Sequence, residues 1–172
     1  MYNQSFSTKE LYRLVTQEER RNSGLKEESF LAAIEAEIGQ SLIDGTYSFK
    51  VRLVGDLKLN GRNRNNFDYL CQDLIQRKLY NNLKRIYSVK QTDRNIIVRQ
   101  MKLLMSEEVD MWGLRLDVRH FYETIDRTQL QNKLENDSRL SYQSLILLNA
   151  LFSDPVVAST SGLPKGLSVS AA

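Results

Sequence analysis

The chain has 172 residues, 41% of them hydrophobic and 26% charged, the size and composition of a soluble protein with one ordinary core. One cysteine (Cys71) and one histidine (His120) exclude an internal disulfide and leave little basis for Cys/His zinc sites or Ser-His-Asp hydrolysis. No apolar run nears the roughly 18 residues of a membrane span, and the N-terminus MYNQSFSTKE lacks a signal-peptide apolar region. The expectation is a cytoplasmic protein with no membrane partner.

The net charge of +3 is unevenly spread. Residues 50–102 carry thirteen Lys and Arg against four Asp and Glu, leaving eleven against seventeen for the rest. A phosphate backbone or a triphosphate would seek such a block, because each neutralised phosphate releases counterions. Solvated helix faces explain it equally well.

In chain order, Ser7-Thr8-Lys9-Glu10 fits a capping box opening a helix that runs to about Arg21. Asn22-Ser23-Gly24 breaks it. Phe30, Ile34, Ile38 and Leu42 then recur at helical spacing until Gly45 stops a second helix. From Tyr47 the period changes: Phe49, Val51 and Leu53, then Leu57 and Leu59, alternate around Asn60-Gly61, the pattern of a β-hairpin. Lys58, Arg62 and Arg64 crowd its tip, where a ligand would meet three cations and a glycine amide. An ordinary solvated hairpin is the alternative. A long amphipathic helix follows over Phe67 to Tyr87, with Arg77 and Lys78 off its apolar stripe. Another starts near Thr92 and is closed by Glu107, Glu108 and Asp110.

The stretch LRLDVRHFYETID, Leu114 to Asp126, carries the chemistry. Leu114 and Leu116 alternate around Arg115 and deliver Asp117 to a strand end, and Phe121, Tyr122 and Ile125 follow at helical spacing. A carboxylate held there can bind a hard cation such as Mg2+. Alone, Asp117 fits equally a cap on the following turn. Beyond it, Asp126 and Ser141 are N-caps for helices from Arg127 and Leu145. Finally, Gly162 and Gly166 bracket Leu163-Pro164-Lys165 in a loop whose backbone can approach a ligand, or which is a plain turn.

Taken together and in this order, these pieces resemble reverse transcriptases. LDVRHFYETI looks like the first palm motif of that family, KLNGRNR is similar to its fingers pattern Lys-x-x-Gly-x-x-Arg, and SGLPKGLSVS to its Gly-x-Pro-Gln-Gly-x-x-x-Ser loop. The resemblance implies an α+β fold: right-hand polymerase fingers and a partial palm, helix-rich, with a fingers β-hairpin and an incomplete palm sheet. It divides the chain into an N-terminal helical segment (1–46), fingers (47–106) and partial palm with further fingers helices (107–172).

By the same resemblance Asp117 is a catalytic metal ligand, and Tyr122 sits under the incoming sugar and rejects a 2′-hydroxyl. Lys58 and Arg64 hold the triphosphate, with Lys165 and Gly166 lying against nucleotide. Arg62, Arg77 and Lys78 face nucleic acid, and Asp73 and Gln76 sit near an Asp and a Gln of the family. Leu57, Lys165 and Ala171 depart from the usual Pro, Gln and Pro; the basic Lys165 is more like bacterial antiphage-defence enzymes of the abortive-infection type.

The implied activity is RNA-directed DNA synthesis with two Mg2+ ions, deoxynucleotides, an RNA template and a DNA or protein primer; a homo-oligomer or an accessory defence protein is a further partner. The family's other metal carboxylates come from a Tyr-x-Asp-Asp hairpin, and no Asp-Asp pair occurs in this sequence. The expectation is therefore a fragment that does not polymerise alone. The alternative is a non-catalytic nucleic-acid-binding module built on the fingers.

Overall fold

The computed structural model describes residues 2–51, 67–89, 93–107, 112–114, 116–164 and 167–171. They are organised around one long helix. Cys71, Leu74, Ile75 and Leu79, at i, i+3, i+4 and i+8, are at most 1% exposed, which puts one stripe of that helix wholly inside the core.

Five shorter helical pieces precede or flank that stripe on the N-terminal side. Helix α1 is Thr8–Tyr12 and α2 is Gln17–Ser23. The single helix expected from Ser7 to about Arg21 is thus two, because Thr16 and Glu19 form their own capping box: the Glu19 amide donates to Thr16 Oγ1 at 3.2 Å and the Thr16 amide to Glu19 Oε2 at 2.8 Å. Ser7 makes no side-chain cap bond. Glu10, its expected box partner, instead pairs with Arg13 and Lys78. Helix α3 (Glu27–Ile34) runs through a π-helical turn (Glu35–Gly39) into α4 (Gln40–Ile43). Phe30 joins it to the core, meeting Tyr12 and Phe67 edge-on at 5.5 and 5.2 Å between ring centres.

The long helix itself is α5, Phe67–Ile86. It packs on α1, the π-helical turn, α8 and the terminal 3-10 turn Ser168–Ala171. Helix α6, Arg94–Ser106, buries no residue. The expected caps hold on the next two: Asp126 accepts from Thr128 and Gln129 amides ahead of α7 (Arg127–Asn136), and Ser141 accepts from Ser144 ahead of α8 (Tyr142–Ser153). A short α9, Pro155–Ala158, follows at once. One hydrophobic cluster runs from Phe6 to Val169 and joins α3, α5 and α8 through side chains such as Ile34, Leu74 and Leu151.

The expected α+β architecture is corrected here. Among the described residues there is no strand and no sheet, and every regular element is helical. Tyr47, Phe49 and Val51 do point alternately into the core, as an edge strand would, but their backbone partner is a side chain. The Lys50 amide donates to Gln72 Oε1 at 2.7 Å, and Gln72 Nε2 donates back to the Lys50 carbonyl at 3.3 Å. A buried glutamine on α5 thereby does what a neighbouring strand does elsewhere. The tip of the expected hairpin lies outside the described residues. The expected palm strand fails for a different reason: Leu114, Leu116 and Val118 are 83, 82 and 67% exposed, so no packed face holds that stretch in a sheet.

Candidate functional site

Asp117 lies in an extended, exposed stretch that leads into a turn over residues 119–124. His120 takes φ +54°, and the turn is closed by the Thr124 amide on the His120 carbonyl at 3.1 Å and by Thr124 Oγ1 on the Phe121 carbonyl at 3.0 Å. The helical spacing of Phe121, Tyr122 and Ile125 thus produces a single tight turn. Phe121 and Tyr122 stack edge-on with ring centres 5.4 Å apart, and Tyr122 is half-buried.

That turn is fastened to the glycine loop forty residues later. The Leu163 amide donates to the Tyr122 carbonyl at 2.7 Å. Gly162 beside it has φ +60°, and a Cβ there would fall inside the van der Waals envelope of the Tyr122 carbonyl oxygen and the Glu123 backbone. Arg127 locks the far side: its guanidinium donates to the Gly162 and Thr160 carbonyls and to Thr160 Oγ1. Burial holds the Arg127 guanidinium below its ordinary pKa. Within the loop, Ser170 Oγ donates to the Pro164 carbonyl at 2.6 Å.

A third stretch reaches the same region through a residue that sequence reasoning missed. Asp154, 6% exposed, caps α9 by accepting from Val156 and Val157 amides at 2.9 and 3.2 Å through Oδ1. Its Oδ2 accepts from the Val51 amide at 3.2 Å. One carboxylate therefore joins Val51 to the helix that feeds the Gly162 loop. The readable signal was Asp154-Pro155, a cap followed by proline at the first helical position.

Beside the junction of the Tyr122 turn with the Gly162 loop lies an apolar cavity of about 390 Å³, lined by Tyr87, Phe121, Tyr122, Leu163, Val169 and Lys133 among others. Lys133 faces the Asp137 carboxylate at 3.7 Å, and the largely apolar walls suit a partly apolar ligand better than a free ion.

The remaining predicted residues are distributed as follows. Lys58, Arg62, Arg64, Lys165 and Gly166 lie outside the described residues. Arg77 is engaged within the chain: its guanidinium pairs with Glu19 and Asp73 and donates to the Leu14 carbonyl at 3.1 Å. Lys78 is 3% exposed, and its ammonium donates to the Asn3 carbonyl at 2.9 Å and faces Glu10 at 3.4 Å. Both helix positions fall on the α1–α2 side of α5, where carboxylates neutralise them. Gln76 is buried and Asp73 belongs to the Arg77 pair.

As for a metal, Asp117 can offer one carboxylate, and among the described residues no three His, Cys, Asp or Glu side chains converge. Those residues alone do not fit a two-magnesium centre. Among the described helices none is long and apolar enough to cross a membrane. Comparison with protein-family models, curated proteins and solved structures found no match to this chain.

Proposed function

We propose that this chain is part of a nucleotide-polymerising enzyme of reverse-transcriptase type, an RNA-directed DNA polymerase serving antiphage defence. The observation that carries the reading is the junction of Tyr122 with Gly162 and Leu163. Two stretches that resemble successive polymerase motifs, forty residues apart, are stitched backbone to backbone. On this reading Tyr122 rejects the ribose 2′-hydroxyl, Lys58 and Arg64 neutralise the triphosphate, and Asp117 is one ligand of a Mg2+ pair whose other ligands the described residues do not provide. RNA template, primer and deoxynucleotides are its partners. Arg77 and Lys78 take no part, since their charges are matched by Glu19, Asp73 and Glu10.

Equilibrium binding of magnesium deoxynucleoside triphosphates and of the matching ribonucleotides to the 172-residue chain tests the reading. Saturable deoxynucleotide binding is expected, weakened about tenfold by Lys58→Ala or Arg64→Ala, with Tyr122→Ala admitting the ribonucleotide. No template-directed primer extension is expected from this chain alone. Absence of triphosphate binding, together with RNA binding that falls steeply with salt and survives Asp117→Ala, would overturn the enzyme in favour of a nucleic-acid-binding module.

A further inference from the structure

The apolar cavity beside the Tyr122 junction, about 390 Å³ in volume, has the size of a small-molecule site. Its wall draws on five segments: Leu83 comes from α5, Leu134 from α7 and Phe152 from α8, while Phe121 belongs to the turn and Leu163 to the glycine loop. An apolar space of this size is unfavourable either way. Dry, its wall atoms lack contacts; wet, its water lacks hydrogen-bond partners. Besides Tyr122, three polar side chains line it, and two of them are committed elsewhere. Ser170 Oγ donates to the Pro164 carbonyl at 2.6 Å. The Lys133 ammonium faces the Asp137 carboxylate at 3.7 Å, so the one cation of the lining is neutralised. The third is Tyr87, whose hydroxyl is shut off from solvent and has no hydrogen-bond partner. Burial, with the Asp137 charge adding to it, raises the pKa of this phenol, so it remains a donor at neutral pH.

We propose that this cavity binds a neutral, largely apolar small molecule of about fifteen non-hydrogen atoms that presents one hydrogen-bond acceptor to the Tyr87 hydroxyl. Neutrality follows from the lining, because a charged group placed there would be desolvated without a free counter-charge. The acceptor follows from Tyr87, whose donor a wholly apolar occupant would leave unsatisfied. A nucleoside triphosphate does not meet these terms. The site is therefore distinct from the one proposed for the nucleotide, and its occupation requires neither Mg2+ nor nucleic acid. Phe121 and Tyr122 form part of the wall and also stand in the turn whose Tyr122 carbonyl accepts from the Leu163 amide at 2.7 Å. A bound molecule accordingly braces that junction.

Benzophenone is the probe: two apolar rings, no charge, and one carbonyl that cross-links under near-ultraviolet light. Its titration into the 172-residue chain, followed by NMR without Mg2+ or nucleotide, should show saturable one-to-one binding at about 10 to 100 μM. Diphenylmethane, which lacks the carbonyl, should bind about fivefold more weakly by the initial slope of its titration. The anion para-benzoylbenzoate should bind about tenfold more weakly or worse. Tyr87→Phe should bring benzophenone and diphenylmethane to equal affinity with unchanged circular dichroism. Photolabelling should fall on wall residues such as Leu83, Leu134 and Leu163, and bound benzophenone should slow hydrogen exchange at the Leu163 amide. No saturable binding, a ketone preference that survives Tyr87→Phe, tighter binding of the anion, or labels away from the wall would overturn the proposal. So would a dimer of the chain that shuts the probe out, which assigns the cavity to a protein contact. Because the probe needs no nucleotide, a failure here and a failure of triphosphate binding are separate results.

Discussion

The amide of Leu163 reaches the carbonyl of Tyr122 at 2.7 Å, and Gly162 makes that approach possible. A side chain at 162 meets two obstacles at once: a left-handed backbone at φ +60° and a carbonyl in the space of its Cβ. Because the obstacle is backbone, it cannot rotate aside. Gly162→Ala is therefore expected to cost about 3 kcal/mol, whereas Gly24→Ala, at φ +64° with nothing within 4 Å of its Cβ, should cost about 1 kcal/mol. Thermal or urea denaturation of the two variants compares them directly; equal losses would mean that the turn and the loop are not in contact.

Asp154 is expected to behave as a junction rather than as a simple cap. Asp154→Ala removes the acceptor of three amides, on Val51, Val156 and Val157, and should destabilise the chain by about 2–3 kcal/mol, more than the usual cap loss of about 1. Asp154→Asn keeps one oxygen and should recover the α9 cap while losing the Val51 bond. Hydrogen exchange separates the two effects: the Val51 amide should accelerate in both variants, the Val157 amide only in Asp154→Ala.

The pairing of Glu19 with Arg77 predicts acid sensitivity. Burial by itself would raise the Glu19 carboxyl, but hydrogen bonds from Arg77 and Thr16 outweigh it and hold the group at about 2, down from 4.5. A folded-state value below the unfolded one means stability that is complete above about 4.5 and is lost as pH falls toward 2. The pair is partly exposed, at 23% for each side chain, so screening reduces the contribution to about 1–2 kcal/mol. Urea midpoints measured at about pH 6 and about pH 3 should converge in Glu19→Gln; an unchanged pH slope in that variant would refute the assignment.

Lys78 provides a test of which cations face outward. Its ammonium satisfies the Asn3 carbonyl and faces Glu10, so Lys78→Met removes the donor to that carbonyl and leaves Glu10 with Arg13 as its partner, and should cost about 1–2 kcal/mol. Any RNA binding by the chain should keep its salt dependence in this variant. A residue touching phosphate would instead lower the logarithmic salt slope by about 0.7–0.9.

Much of the local structure was legible in the sequence. Asp126 and Ser141 were readable as caps because a cap requires only a short polar side chain immediately before an apolar-periodic run. The long helix over Phe67–Ile86 was readable because its apolar residues repeat at one period for five turns. The division of the first helix was also encoded, in Thr16-x-x-Glu19, but the earlier Ser7-x-x-Glu10 matches the same pattern. Only packing decided between them, by drawing Glu10 to Arg13 and Lys78.

Alternation at Tyr47, Phe49 and Val51 correctly marked which side chains go inward, yet it does not say what the backbone bonds to. Burial period and hydrogen-bond partner are independent, and the partner proved to be the side chain of Gln72 from twenty-two residues away. The same limit governs Arg77 and Lys78. Sequence supplies their positive charge and, for Arg77, the local partner Asp73, but the other carboxylates, Glu10 and Glu19, stand on α1 and α2, some sixty residues earlier. What the sequence determined by itself was the long helix α5, the Asp126 and Ser141 caps and the order of the motif-like stretches, since these depend on neighbours within about one turn. Only the tertiary structure decided that Tyr122 meets Gly162, that Val51 meets Asp154 and that α6 stays at the surface. Those relationships depend on which distant groups share a small volume, and no local periodicity carries that information.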